Sequence, residues 1–226
     1  MKQIILVINV FVLPLFLSCQ SNRDGLIKDA EEKLKTGSVT ISQILTDKKY
    51  DGVHPEKEFR DLIAKYAKAG TISIATDTIP GRKIKVIGTV RDAEGKPVVN
   101  ALVYLYHTDA RGWYAANSPH VNMNSGDMLH ARLFGYVKTD KDGRFELHTI
   151  KPSGYPQSDL PAHIHVHVTA EGYRNFVNEF LFDDDERLVG ATRENSARNQ
   201  FIIAKPEKAD KPFTQQFTYT ITLQRQ

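Results

Sequence analysis

Short segments with the pattern of β-strands, separated by turns that contain Gly and Asp, occupy most of the chain after residue 81. Residues 83–90 alternate apolar and polar side chains with period two, which is typical of a strand with one buried face. The sequence Asp-Lys-Asp-Gly at 140–143 predicts the turn of a hairpin. Further strands are predicted over 101–106, 134–139, 144–149, 162–169, 175–182 and 217–223. Many short strands joined by such turns predict a mainly β chain that folds as an antiparallel β-sandwich.

Helical periodicity marks two segments in the N-terminal third of the chain. Residues 26–35 predict a short amphipathic helix. Residues 55–68 predict a second helix, in which apolar side chains recur with helical spacing from Phe59 to Tyr66. Residues 191–212 are polar and carry no clear period, so we expect irregular structure on the surface there.

Composition limits the classes of protein to which the chain can belong. The 30 Lys and Arg against 27 Asp and Glu give a net charge of +3, which is too weak to indicate a nucleic-acid partner. The single cysteine excludes an internal disulfide framework and a cysteine-based metal site. Three parts are predicted: a signal peptide at 1–18, a tether and helical extension at 19–80, and a β-sandwich domain at 81–226.

Residues 1–18 have the features of a secretory signal. Lys2 supplies a positive charge, and residues 4–17 are almost entirely apolar but are interrupted by Pro14. This stretch is too short for a comfortable membrane span. Cys19 follows it, in an arrangement that resembles the lipidated N-terminus of bacterial lipoproteins. We expect an exported protein held in the bacterial cell envelope by a lipid on Cys19; an ordinary signal peptide with an incidental cysteine is the alternative.

Three histidines stand at alternate positions of one predicted strand. His163, His165 and His167 therefore point to the same face of the sheet, and two such imidazoles can reach one metal ion. This pattern alone is a weak signal, because an exposed polar strand face looks the same. Three interpretations of His167 are open. It contacts the ligand pair without binding the metal, it is a third ligand of a Zn or Cu site, or it is simply a polar position further along the strand.

Two tyrosines in loops make the histidine pair more informative. Tyr155 precedes His163 by a short loop, and Tyr114 follows the strand at 101–106. A phenol with a pKa of about 10 needs a strong cation beside it to ionise at neutral pH. Phenolate is a hard anionic oxygen donor, so two phenols and two imidazoles suit Fe(III) better than Zn(II) or Cu(I).

Several motifs, taken in order, resemble the intradiol ring-cleavage dioxygenases of the catechol and protocatechuate types. They are Gly88-x-Val90-x-Asp92-x-x-Gly95-x-Pro97, Gly112-Trp113-Tyr114, Thr139-Asp140-x-Asp142-Gly143, Pro152-x-Gly154-Tyr155-Pro156 and Pro161-Ala162-His163-Ile164-His165. The resemblance implies a non-haem Fe(III) held by Tyr114, Tyr155, His163 and His165. It also implies that O2 is inserted between the two hydroxylated carbons of a catechol, with Tyr155 as the catalytic phenolate that the substrate displaces.

Two positions depart from the pattern of that family. Leu160 stands where the family usually carries Arg, and Glu179 stands where it often carries Gln. A missing cation would weaken the stabilisation of negative charge on the substrate ring. Three arginines are candidate substitutes: Arg111, Arg132 and Arg174. Residues 84–150 taken alone also resemble a non-catalytic transthyretin-like binding module, which remains the main alternative, and the oligomeric state stays open.

Overall fold

The computed structural model describes residues 13–115 and 131–226, and the side chains of the first range from residue 22 onward. Most of the predicted signal peptide therefore lies outside the described residues. Cys19 falls within the first helix, and its side chain is not described. Among the helices in the described ranges, none combines the length and the apolar character that crossing a membrane requires.

The N-terminal part of the chain is helical. It contains α1 (Leu13–Thr36), α2 (Ile41–Thr46), a 3-10 helix (Lys48–Val53) and α3 (Lys57–Lys65). Thr40 starts α2 with a capping box: its hydroxyl accepts from the backbone N–H of Gln43 at 3.2 Å, and the Gln43 side chain accepts from the N–H of Thr40 at 2.8 Å. The start of the 19–80 segment, whose polar residues 20–25 suit a tether, is part of α1.

Nine strands and one late helix complete the described fold. They are β1 (Thr71–Ser73), β2 (Lys83–Asp92), β3 (Leu102–His107), β4 (Leu133–Lys138), β5 (Arg144–Ile150), β6 (His163–Thr169), β7 (Phe176–Phe182), α4 (Gly190–Arg198), β8 (Ile202–Ala204) and β9 (Gln215–Leu223). One sheet has the strand order β1-β5-β2-β9, and the other has the order β4-β3-β6-β7-β8.

Both sheets are mixed, so the prediction of purely antiparallel pairing is wrong. β1 pairs with β5 in parallel, β2 with β9 in parallel, and β7 with β8 in parallel. The remaining pairs are antiparallel. The prediction of a mainly β chain is confirmed, and all seven predicted strands are present. The expectation of irregular structure over 191–212 is wrong, because this segment contributes most of α4 and all of β8.

The N-terminal segment belongs to the same packed unit as the sheets. β1 lies before the predicted domain start at residue 81, yet it pairs with β5. Phe59 and Ile63 of α3 are fully buried in the hydrophobic cluster that the strands also fill. Each side chain buried in this way stabilises the fold by roughly 1.5–3 kcal/mol relative to an exposed one. The boundary at residue 80 stays a prediction.

Aromatic side chains connect the two sheets beneath β7. The ring of Phe182 packs edge-on against Phe217 of β9, with centroids 4.9 Å apart, and Phe180 contacts the same ring at 6.0 Å. All three side chains are fully buried. Because such interiors are close-packed, β6 and β7 form a rigid support for whatever side chains stand on their other face.

Candidate metal centre

β6 places two histidines side by side on one face, as period two requires. His163 is 6% exposed, and its Nδ1 lies 2.8 Å from the carbonyl oxygen of Pro161. A carbonyl oxygen only accepts, so Nδ1 carries the proton and Nε2 offers a lone pair. His165 stacks on Tyr106 of β3, with ring centroids 4.3 Å apart and an interplanar angle of 8°. Both imidazoles are therefore held in a fixed orientation.

Two loops bring phenol groups to the same face. Tyr114 lies in the loop after β3, and Tyr155 lies in the loop between β5 and β6. The loops touch at two glycines: Gly112 has φ of 80°, and a Cβ at this position would overlap the carbonyl oxygen of Gly154. The glycines of the two sequence motifs thus allow the close approach that brings Tyr114 and Tyr155 together.

The four side chains form one continuous polar cluster. The hydroxyl oxygens of Tyr114 and Tyr155 lie 2.8 Å apart. The Tyr114 oxygen is 2.9 Å from Nε2 of His165, and the Tyr155 oxygen is 3.1 Å from Nε2 of His163. Two oxygens and two nitrogens from three stretches of chain therefore face one another. We call these four residues the candidate metal centre.

A buried histidine on β3, the strand next to β6, contributes no charge at neutral pH. His107 of β3 is fully buried, and burial lowers its pKa to about 4. Its Nδ1 donates to the carbonyl oxygen of Thr108 at 2.6 Å, and its Nε2 accepts from the hydroxyl of Thr149 at 2.7 Å. The polar atoms of His107 are thus satisfied within the protein, and its role is structural.

The donor set of the candidate metal centre fits a hard, trivalent ion. Phenolate oxygen with imidazole nitrogen matches Fe(III), whereas thiolates would be expected for softer metals. His163 Nε2 is the atom left to act as a ligand, and a carbonyl group fixes its tautomer, as is usual for metal-binding histidines. The residues present therefore fit the iron that the sequence analysis predicts.

A cavity of about 540 Å³ opens beside the centre. Tyr155, His163 and His165 form part of its wall, whereas Tyr114, which is 3% exposed, lies behind them. Leu160 and Glu179 also line the cavity. The facing wall includes polar side chains at α4, namely Thr192, Asn195, Ser196 and Asn199. Sequence analysis missed this wall, because α4 has no apolar stripe that could have signalled a packed helix.

Glu179 and His167 differ in their relation to the centre. Glu179 is directly opposite His165 across the β6–β7 pair, and its carboxylate lies 4.0 Å from Nδ1 of His165. Ligand atoms of His163, His165 and Glu179 come within 4.8 Å of one another. His167 does not join this group within the described residues; its ring lies edge-on to Tyr104 further along β6. The described histidines therefore do not form the three-histidine site considered as an alternative.

None of the three arginines considered as substitutes for the missing cation lines the cavity as described. Arg111 forms an ion pair with Asp109 at 2.6 Å. Arg132 lies 3.5 Å from Asp51 beside the N-terminal helices, and Arg174 is exposed. Leu160 is 51% exposed at the position where the resemblance leads one to expect Arg. None of these three arginines therefore replaces the cation that is missing at Leu160.

Comparison with known proteins identifies the family. The sequence profile described as Dioxygenase matches residues 58–225, most of the chain. The chain is 31% identical over 138 residues to chlorocatechol 1,2-dioxygenase from Rhodococcus opacus, covering 54% of this chain and 51% of that protein. It is 30% identical over 150 residues to catechol 1,2-dioxygenase from Acinetobacter baylyi, covering 56% of this chain and 46% of that protein. The chain thus spans about half the length of the curated relatives it matches.

Solved structures show the same fold. A catechol 1,2-dioxygenase from Acinetobacter superposes with a TM-score of 0.56 at 22% identity, covering 70% of this chain and 58% of that one. The dioxygenase domain of a carbohydrate-binding fusion protein from Streptomyces superposes with a TM-score of 0.53 at 24% identity, covering 71% and 90%. Together with the profile match, these findings show that the chain belongs to the intradiol ring-cleavage dioxygenase family.

Proposed function

We propose that this protein is a non-haem Fe(III) dioxygenase that cleaves a catechol-type ring between its two hydroxylated carbons with O2. The observation that carries the proposal is the convergence of Tyr114, Tyr155, His163 and His165 beside a cavity large enough for an aromatic substrate. The scaffold that we propose is a transthyretin-like sandwich, and the ring contacts between β7 and β9 support face-to-face packing of its sheets.

The four residues of the candidate metal centre would hold Fe(III). The bound ion would supply the positive charge that stabilises a catechol as its dianion. The chain itself contributes geometry: β6 fixes the imidazoles, and the two glycine-containing loops fix the phenols.

The two tyrosines are placed for different roles. Tyr155 lines the cavity, so a substrate hydroxyl can approach its oxygen, which as a phenolate beside the bound ion would accept the proton and become a neutral phenol. Tyr114 is buried behind the cavity wall, and its oxygen is 2.9 Å from His165. This asymmetry supports Tyr155 as the catalytic phenolate that leaves its position and Tyr114 as the one that stays.

The test is reconstitution with Fe(III), followed by a visible spectrum and oxygen uptake. We expect a wine-red protein, because tyrosinate-to-iron charge transfer absorbs visible light, and one O2 consumed per catechol with a ring-opened dicarboxylate as product. A protein that stays colourless with Fe(III) and consumes no O2 would favour the non-catalytic binding module. Metal binding that survives both Tyr→Phe changes but not His167→Ala would favour the histidine-only Zn or Cu site.

We also propose that the protein is exported and anchored by a lipid on Cys19 in the bacterial cell envelope. The support is the sequence of residues 1–19, with its positive charge, apolar stretch and following cysteine. Expression of the full chain and of Cys19→Ser, followed by separation of membranes, tests this. Release of the variant into the soluble fraction is expected, and continued membrane association of the variant contradicts the anchor.

A further inference from the structure

The cavity beside the candidate metal centre is larger than a bare catechol needs. Its volume of about 540 Å³ is in the range of pockets that take drug-sized ligands, and a single dihydroxylated ring would fill only a small part of it. The remaining space extends from the centre to the polar wall at α4. A substrate that fills the cavity therefore carries a side arm that reaches toward this wall.

The charges on the cavity wall have one sign. Asp159 and Glu179 line the cavity, and no Lys or Arg is among its described lining residues. Leu160 occupies the position where the resemblance leads one to expect a cation.

Two further arginines, one in the loop after β7 and one on α4, are engaged elsewhere. Arg187 lies behind the loop of Tyr155, where its Nη1 donates to the carbonyl oxygens of Tyr155 at 3.1 Å and of Leu160 at 3.3 Å. Arg198, exposed on α4, donates to the side-chain oxygen of Asn195. Neither guanidinium is part of the described cavity wall, so the wall facing a substrate carries two carboxylates and neutral polar groups.

We propose that the cavity selects catechols whose side arm carries a positive charge, such as an amine, and disfavours those whose side arm carries a carboxylate. The inference rests on the proposed dioxygenase function and specifies the substrate class of that site. Glu179 acts as the main selector because it lines the cavity next to His165 and is less exposed to water than Asp159. Asp159 adds a second, more exposed negative charge.

Three catechols with the same two-carbon arm test the proposal. Dopamine ends in an ammonium, hydroxytyrosol in a hydroxyl and dihydrocaffeate in a carboxylate. Binding is measured without O2 from the change in the visible band of the Fe(III)-loaded protein, and kcat/KM is measured with O2. We expect dopamine to bind at least about tenfold more tightly than dihydrocaffeate, with hydroxytyrosol between them, and the ratio to shrink as salt is added.

Two isosteric variants and one control separate the contributions. Glu179→Gln removes only the charge and should lower the dopamine-to-dihydrocaffeate ratio by about threefold or more. Asp159→Asn should lower the ratio less, because that side chain is more exposed to water. Glu94→Gln, at an exposed turn after β2, should leave the ratio and the activity unchanged.

The outcomes distinguish three situations. Equal weakening of all three catechols by Glu179→Gln would mean that Glu179 acts through His165 instead of on the side arm, which overturns the proposal. A ratio near one or a preference for dihydrocaffeate in the unaltered protein overturns it as well, while the dioxygenase function stands. If no catechol changes the visible band or consumes O2, the proposed function itself fails.

Discussion

Within the described residues, two clusters of wholly or partly buried polar and aromatic side chains have opposite characters. One is the candidate metal centre on β6 and its two neighbouring loops. The other surrounds α3 and β4 and is here called the arginine cluster; its members are His54, Arg60, Tyr104, Phe134 and Tyr136. Composition alone does not separate them, because each combines rings, hydroxyl groups and nitrogen atoms.

The difference lies in where the hydrogen bonds lead. In the arginine cluster, Arg60 donates to the hydroxyl of Tyr104 at 2.7 Å and to the carbonyl oxygen of Ala131 at 3.0 Å, while its guanidinium lies 3.9 Å from the Phe134 ring. These bonds tie a helix to a sheet. In the candidate metal centre, the oxygens of two tyrosines and the nitrogens of two histidines contact one another beside a cavity.

The comparison teaches that convergence of electron-pair donors, together with access to a cavity, marks a site of chemistry. A cluster whose hydrogen bonds join one element of the fold to another stabilises the fold instead. Substitutions should therefore separate the two clusters cleanly: changes in the first should affect metal binding and turnover, and changes in the second should affect the free energy of unfolding.

The largest effect is expected for His163→Ala. Removing a residue that only hydrogen-bonds to a metal ligand typically lowers metal affinity about 10–100-fold. Removing a ligand itself should therefore lower iron affinity by more than about 100-fold and abolish turnover. Iron content after dialysis and oxygen uptake measure this. His148→Ala is the matched control, because His148 pairs with Glu146 on the other sheet. Equal iron content in the two variants would contradict the assignment of His163.

Tyr155→Phe should have the next largest effect. The change removes a hydroxyl that lies 2.8 Å from the Tyr114 oxygen and 3.1 Å from Nε2 of His163, and with it the group that, in the proposed function, accepts a substrate proton. Positioned proton transfer contributes about 10²–10⁴ to a rate, so kcat should fall by that factor, and the visible band should shift or bleach. Tyr136→Phe in the arginine cluster should leave both readouts within about twofold of the unaltered protein. An unchanged spectrum for Tyr155→Phe would remove it from the centre.

How much could be predicted from the sequence differs between the parts of the site. The shared face of His163 and His165 follows from the period of two alone, because strand geometry fixes the direction of side chains. The nearness of Tyr114 and Tyr155 does not follow from spacing, since two loops must meet through Gly112 and Gly154. There the prediction depended on resemblance to a family. The assignment of these residues as metal ligands stays a prediction.

Three of the elements that the sequence analysis does not predict, β1, β8 and α4, share a physical reason. β1 and β8 have three residues each, too few to show a period, and they form because a neighbouring strand offers backbone hydrogen bonds. α4 has a single buried residue, Ser196, and so lacks the apolar stripe by which helices are recognised. Tertiary contacts decide such segments, and one of them supplies a cavity wall.

Acid should weaken the arginine cluster through His54. Burial lowers the pKa of His54 to about 4; its Nδ1 donates to the Arg132 carbonyl oxygen at 3.0 Å, and its Nε2 has no partner among the described residues. In the unfolded chain His54 binds a proton near pH 6.5, whereas in the folded protein it does so only near pH 4. The free energy of unfolding is therefore unaffected by His54 above about pH 6.5 and decreases as the pH is lowered from there to about pH 4. The loss is about 3 kcal/mol.

Urea unfolding at pH 7 and pH 4 measures that loss. His54→Phe keeps an aromatic ring against Phe59 and removes the titrating group, so this variant should lose about 3 kcal/mol less than the unaltered protein over the same interval. Subtracting the two curves cancels the titration of carboxylates that both proteins share. Parallel curves would show that His54 does not bind its proton differently in the folded and unfolded states.

The smallest effect concerns Arg60 itself. Arg60→Met keeps an unbranched stem but removes two hydrogen bonds, so the Tyr104 hydroxyl and the Ala131 carbonyl lose the guanidinium, at a cost of about 1–3 kcal/mol in unfolding free energy. In the double variant with Tyr104→Phe, the hydroxyl that Arg60 contacts is absent as well. The double variant should therefore lose less unfolding free energy than the sum of the two single variants, by at least about 0.5 kcal/mol.

Iron content and kcat of Arg60→Met should stay within about twofold of the unaltered protein, because the arginine cluster ties α3 to the sheet without lining the cavity. A fall in iron content without a fall in stability would reverse the assignment of roles and make the arginine cluster part of the site.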